Sequence, residues 1–183
     1  MDQTLIVCNP DDRLVGYAPR SACHRGNGIL HRAIAAVVMD RDERILLQKR
    51  KSALWDGYWD ITGATHPLHL AAQDETYEQA AKRCLAVEWG IRIPLRRAFA
   101  FTYFARQSEH CEREHCVLLL GTHAGPVQFN PDYAYDGRWV SLSACLEHLR
   151  REPGSFTPWA QLAIDGIVSK RMMVDEGIDA TVS

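Results

Sequence analysis

Three histidines and a pair of glutamates in this 183-residue sequence are of types that one metal ion could gather: His24, His31, His66, Glu112 and Glu114. The glutamates stand two apart in Glu112-Arg113-Glu114-His115-Cys116, so on a strand both side chains project from one face. A solvated polar face would show the same spacing. Between His31 and the glutamates runs a helix-like stretch that ends Glu88-Trp89-Gly90-Ile91. The layout suggests a metal-assisted acid together with a helix that binds diphosphate. His69, His110, His123 and His148 read as ordinary polar residues.

The elements that must position these groups are legible in the hydrophobic pattern. Leu5 to Cys8 reads as a short strand closed by the turn Asn9-Pro10-Asp11-Asp12. Ala33 to Met39 and Arg44 to Arg50, joined by the polar Asp40-Arg41-Asp42-Glu43, form a hairpin. An aromatic connector, Leu54 to Asp60, leads into Ile61-Thr62-Gly63. From Asp74 to Gly90 the apolar positions recur at spacings of three and four (Tyr77, Ala80, Ala81, Cys84, Leu85), which predicts a helix ended by Gly90, with Asp74 and Glu75 in its first turn. Ala98 to Tyr103 and His115 to Gly121 alternate as strands joined by a polar loop. Arg138 to Val140 is a further strand, Leu142 to Leu149 a helix, and Pro158 to Met172 a last helix, with a fraying tail over 174–183. Strands, one central helix, then strands and terminal helices predict a mixed α/β (α+β) sandwich in a single domain.

Bulk properties narrow the partners. A formal net charge of -2 gives no electrostatic reason to expect nucleic acid. No apolar run approaches the roughly 20 residues of a membrane span, and the N-terminus has no secretory pattern. The six cysteines form no CxxC pair and no compact framework, so they read as reduced thiols of a cytoplasmic protein. Cys111 and Cys116 flank the glutamate pair and read as half-buried strand thiols.

The close of the central helix, Arg83 followed by Glu88-Trp89-Gly90-Ile91, resembles the end of a Nudix box, in which helix carboxylates hold Mg2+ against a diphosphate. The copy is degenerate: Glu75 and Glu88 match acidic positions, while Cys84 and Val87 stand where hydrolytic members place glutamates. A narrower family, the type I isopentenyl-diphosphate isomerases, is more similar. Its markers run in order from about Leu5 to Trp159: His24, Leu30-His31-Arg32-Ala33, Leu46-Leu47-Gln48-Lys49-Arg50, Trp55-Asp56-Gly57-Tyr58-Trp59, His66-Pro67, Glu88-Trp89-Gly90, Glu112-Arg113-Glu114 and Phe156-Thr157-Pro158-Trp159.

That resemblance implies a Nudix-type mixed β-sheet sandwich with flanking helices. It implies that His24, His31, His66, Glu112 and Glu114 bind one divalent metal, for which Mn2+, Zn2+ and Mg2+ all remain open. Glu88 would hold a second ion, Mg2+, bridging to the substrate diphosphate. Arg20, Lys49 and Arg50 match basic positions that would neutralise phosphate oxygens; for Lys49 a solvated strand-end charge is an equal reading. Glu114 would be the acid that protonates the alkene, Tyr103 its helper, and Trp159 an aromatic face against the carbocation. For Tyr103 and Trp159 a plain strand or core aromatic is the alternative.

The resemblance also exposes a gap. The family places a cysteine two residues before the His-Pro, on the side of the alkene opposite the acid, and here that position is Ala64. A methyl group neither donates nor accepts a proton; Thr62 and Thr65 are the nearest hydroxyls in sequence. The implied substrate is a small prenyl diphosphate, and the chain would act as a monomer or homodimer. Five readings stay open: isomerisation through another group, protonation ending in cyclisation or hydration, Nudix hydrolysis, an engineered substitution at Ala64 in an otherwise ordinary isomerase, or a diphosphate-binding pseudoenzyme.

Overall fold

A computed structural model describes residues 2–175, with side chains through Lys170. Its spine is β3 (His31–Met39), which pairs in parallel with β8 (His110–Thr122) from His31↔Glu114 to Met39↔Thr122. β7 (Arg96–Gln107) continues this sheet antiparallel to β8. On the other edge of β3 lie β6 (Gly63–Thr65) and, at a single position, β1 (Thr4–Cys8), which carries β2 (Leu14–Pro19).

The expected hairpin between β3 and β4 (Ile45–Arg50) is present, but the two strands pair only at Met39↔Ile45. They then diverge, and β4 takes β9 (Ala134–Val140) and β5 (Trp59–Asp60) as its partners. Thr62 bridges the gap where the strands part: its hydroxyl accepts from Val38 N at 2.9 Å and donates to Leu46 O at 2.7 Å. The splay opens the sheet into two wings around a cleft.

Alternation along β3 explains why it reads as an unbroken apolar run. Ile34, Ala36 and Val38 face α2 (Tyr77–Trp89), packing on Tyr77, Ala81, Leu85 and Trp89. Ala33, Ala35 and Val37 face the opposite layer, with α3 (Leu142–Arg151) contributing Cys145 and α4 (Pro158–Asp175) contributing Trp159, Ala163 and Ile164. A strand buried on both faces has no polar side to show. A four-residue turn, α1 (Arg20–Cys23), follows β2.

Several boundaries differ from the sequence reading. Asp74 and Glu75 lie before α2, which starts after Thr76; a capping box with Gln79 sets that start, and Gly90 ends the helix in the left-handed region at φ 68°. The polar loop expected between Tyr103 and His115 is a continuation of both strands, with only Ser108 and Glu109 at the turn. Exposed Phe104, Arg106 and Arg113 alternate there with the less exposed Ala105, Gln107, Glu112 and Glu114, a strand-like pattern in a polar composition. β2 was not anticipated: its Leu14, Val15 and Tyr17 are exposed, and an edge strand without a buried face leaves little signal. Val174 and Asp175 close α4, and the rest of the expected tail lies outside the described residues.

Candidate metal centre and cavity

The five predicted ligands come together. One ligand atom from each of His24, His31, His66, Glu112 and Glu114 lies within 4.8 Å of every other, and all five residues are buried. Each arrives from a different part of the fold except the glutamates, which share β8. His24 caps α1, His31 opens β3 opposite Glu114, and His66 follows β6. Backbone carbonyls aim two of the rings. His24 Nδ1 donates to Arg20 O at 2.8 Å and His31 Nδ1 to Ile29 O at 2.7 Å, which leaves Nε2 of each as the free lone pair.

The donor set fits a divalent cation. Nε2 of His31 is buried with no hydrogen-bond partner among the described residues, and Nε2 of His24 meets only Oε2 of Glu112, at 2.8 Å. With both Nδ1 atoms donating to backbone carbonyls, the two Nε2 lone pairs and the glutamate oxygens are acceptors gathered in one buried place, a set that a positive ion would satisfy. Burial drives the His66 ring down to about 3, against the pull of Glu114, so it is neutral and able to ligate. Burial, reinforced by the Glu114 charge, pushes Glu112 up to about 7. Glu114 goes the other way: burial would raise it, but the His31 and His66 imidazoles outweigh that and hold it well below the usual carboxylate range.

Glu114 also belongs to a second arrangement. Tyr103 sits directly across from it in the β7–β8 ladder, so the two side chains share a face, and the phenol donates to Glu114 Oε2 at 2.6 Å. Glu114 Oε1 lies 2.9 Å from His66 Nε2. Burial and the neighbouring carboxylates raise Tyr103 well above the usual phenol value, so in this structure the proton of the pair rests on the tyrosine.

These groups border a cavity of about 310 Å3. Glu112, Glu114, Tyr103 and Trp159 line it together with Glu88 from α2 and Ala64 from β6. Burial pushes Glu88 up to about 7, against hydrogen bonds from Cys84 and Gln48 and the charge of Arg50. Gly63, beside Ala64, is pressed onto α2: a Cβ there would stand 2.8 Å from Cys84 Sγ. Trp159 is 4% exposed and donates its indole N–H to Asp60 Oδ2 at 3.0 Å, while the Arg50 guanidinium lies 5.0 Å from its ring centroid.

Of the predicted basic residues, Arg20 and Arg50 line the cavity and Lys49 does not. Side chains alternate along β4, so Gln48 and Arg50 share the cavity face while Lys49 points away and lies 5.7 Å from the Trp59 ring. Thr62 is likewise committed elsewhere, as the bridge between β3 and β4, whereas Thr65 reaches the cavity. Sequence reasoning missed Gln48, Lys51 and Arg83 as lining residues. Period-two alternation back from Arg50 would have found Gln48. Arg83 is gripped by both oxygens of Glu75, so that glutamate is a brace for the helix wall and not a cavity acid.

Comparison with known proteins gives the family. The NUDIX domain family model matches residues 29–160. The isopentenyl-diphosphate Delta-isomerase 2 of Aromatoleum aromaticum is 32% identical, over 98% of this chain and 94% of its own. The isomerase 1 of that organism is 33% identical over 93% and 96%. The Halobacterium salinarum isopentenyl-diphosphate Delta-isomerase is 31% identical over 88% and 78%. Among solved structures, a Deinococcus radiodurans protein superposes with a TM-score of 0.67 at 17% identity, covering 88% of this chain and 97% of its own. A MutT NUDIX hydrolase from Burkholderia pseudomallei gives 0.57 at 22%, covering 75% and 98%. The structural likenesses, at such identities, speak to the fold alone.

Proposed function

The chain belongs to the isopentenyl-diphosphate isomerase family of NUDIX-domain proteins, and from that premise we propose that it is a metal-dependent enzyme protonating the alkene of a prenyl diphosphate. The observation that carries this reading is the double role of Glu114, which belongs at once to the five-ligand cluster and to a hydrogen bond with Tyr103 at the cavity wall. A divalent cation held by the five residues would supply positive charge that neutralises Glu112 and Glu114 and raises the acidity of protons beside them.

This chain's own residues divide the work. Tyr103 stores a proton within 2.6 Å of Glu114 Oε2, and the pair delivers it to an alkene carbon in the cavity. Trp159 offers an indole wall that attracts developing positive charge by roughly 2 kcal/mol in a desolvated site. Arg20 and Arg50 would meet phosphate oxygens, and Glu88 would hold a second cation that neutralises diphosphate charge.

Ala64 decides how the cation ends. It lines the cavity with a methyl group, so loss of a proton on that side falls to another group or to water. Isopentenyl/dimethylallyl diphosphate interconversion is the reading preferred here; cyclisation or hydration is the second, favoured by the methyl. Hydrolysis of the Nudix type is disfavoured because Glu88 is the one acid of α2 on the cavity, with Glu75 tied to Arg83.

Incubation with isopentenyl diphosphate and Mg2+ plus Mn2+ in deuterated water tests the assignment. Deuterium in recovered substrate or in an allylic, cyclic or hydrated product supports it. Phosphate release from nucleoside diphosphates, with no deuterium uptake, would move the protein to the hydrolases.

A further inference from the structure

The splayed strand β4 places a second polar group beside Glu88. Gln48 is 2% exposed and lines the cavity, and its Nε2 donates to Glu88 Oε2 at 3.2 Å. Its carbonyl oxygen, Oε1, is cut off from solvent and has no hydrogen-bond partner among the described residues. A buried amide oxygen left in that state bears its full desolvation penalty.

Glu88 likewise has no direct ion-pair partner among the described residues. Its Oε1 accepts from the Cys84 thiol at 3.2 Å, so both carboxylate oxygens meet only neutral donors. The guanidinium of Arg50 is engaged by Asp60 at 2.8 Å. One wall of the cavity therefore carries a carboxylate and an unpartnered amide carbonyl next to each other. Both are hard oxygen donors, the kind that Mg2+ and Mn2+ select.

We propose that the amide oxygen of Gln48 is a ligand, alongside Glu88, for the second divalent cation, the one that carries the substrate's diphosphate. This rests on the diphosphate reading given above and adds a residue to it. A half-turn of the terminal torsion exchanges the amide nitrogen and oxygen without moving the stem. The side chain that donates to a bare Glu88 carboxylate can thus accept beside a cation. Cys84 takes the other carboxylate oxygen and fixes the orientation of Glu88.

Metal uptake tests this without reference to turnover. Mn2+ binding is measured on the whole chain by electron paramagnetic resonance and calorimetry, with inorganic pyrophosphate present. The native chain should take up two ions. Gln48→Leu should keep the ion of the histidine cluster and bind the second roughly tenfold more weakly or worse. Gln48→Glu should bind the second ion at least as tightly as the native chain. Unchanged second-site affinity in Gln48→Leu would overturn the proposal. So would loss of both ions together, or a native chain that takes up a single Mn2+. A chain that binds two ions as expected yet leaves isopentenyl diphosphate untouched would sink the isomerase reading and leave this one standing.

Discussion

The phenolic oxygen of Tyr103 lies 2.6 Å from Oε2 of Glu114, across one rung of the β7–β8 ladder. Register alone puts them there, because residues directly opposite in antiparallel strands project from the same face. A carboxylate of the buried His/Glu cluster is thereby coupled to a proton that burial keeps in place.

Removing either partner should therefore strike proton transfer. Glu114→Gln should lower deuterium uptake into isopentenyl diphosphate by roughly 10²–10⁴-fold, the usual worth of a positioned acid. Tyr103→Phe should cost less, because Glu114 remains beside the cavity. Mass spectrometry of recovered substrate reads both. Native rates in Glu114→Gln would remove that residue from the chemistry.

A thiol introduced at position 64 should raise isomerisation. Ala64 lines the cavity on a strand paired to β3, so Ala64→Cys adds one sulfur with no change of backbone. The expected outcome is faster conversion of isopentenyl to dimethylallyl diphosphate, followed by product analysis. No gain with the metal still bound would count against an isomerase-like pocket.

The raised pKa of Glu88 has a consequence for stability. Burial takes it from 4.5 to about 7, so between those values the folded chain holds a proton that the unfolded chain has lost. Its contribution is full below pH 4.5 and is lost as pH rises through 7. Glu88→Gln escapes that loss. With a chelator present, the melting temperature of the variant should gain on the native protein as pH rises from about 5 to 8. A pH-independent difference between the two would mean that Glu88 titrates normally.

Asp60 is the hidden support of the cavity wall. Fully buried, it accepts from Arg50 at 2.8 Å, Thr157 at 3.0 Å and Trp159 at 3.0 Å. Asp60→Ala leaves the guanidinium buried without its counter-charge and should cost about 3–5 kcal/mol, as broken buried pairs do. Urea denaturation measures it, and a loss below 1 kcal/mol would show that water replaces the carboxylate.

What the sequence disclosed follows from how local each signal was. The helix over Tyr77–Trp89 and the doubly buried β3 were visible because apolar periodicity is carried by consecutive residues. The five residues stand out through motif order, and the fold brings them from four separate parts of the chain to within 4.8 Å of one another. Lys49 matches a basic position of the family and reads equally as a solvated strand-end charge; the pleat turns it away from the cavity face that Gln48 and Arg50 share. Asp60 and Gln48 escaped notice for a different reason. Their significance lies in partners as far away in sequence as Trp159 and Glu88, and nothing local announces those contacts.

The account turns on three imidazoles and two β8 carboxylates sharing one cation, and anomalous diffraction from a crystal soaked in Mn2+ addresses that directly. A single strong peak in contact with His24, His31, His66, Glu112 and Glu114 is the predicted result. Mn2+ found only elsewhere, with the five side chains drawn apart or paired among themselves, would contradict it.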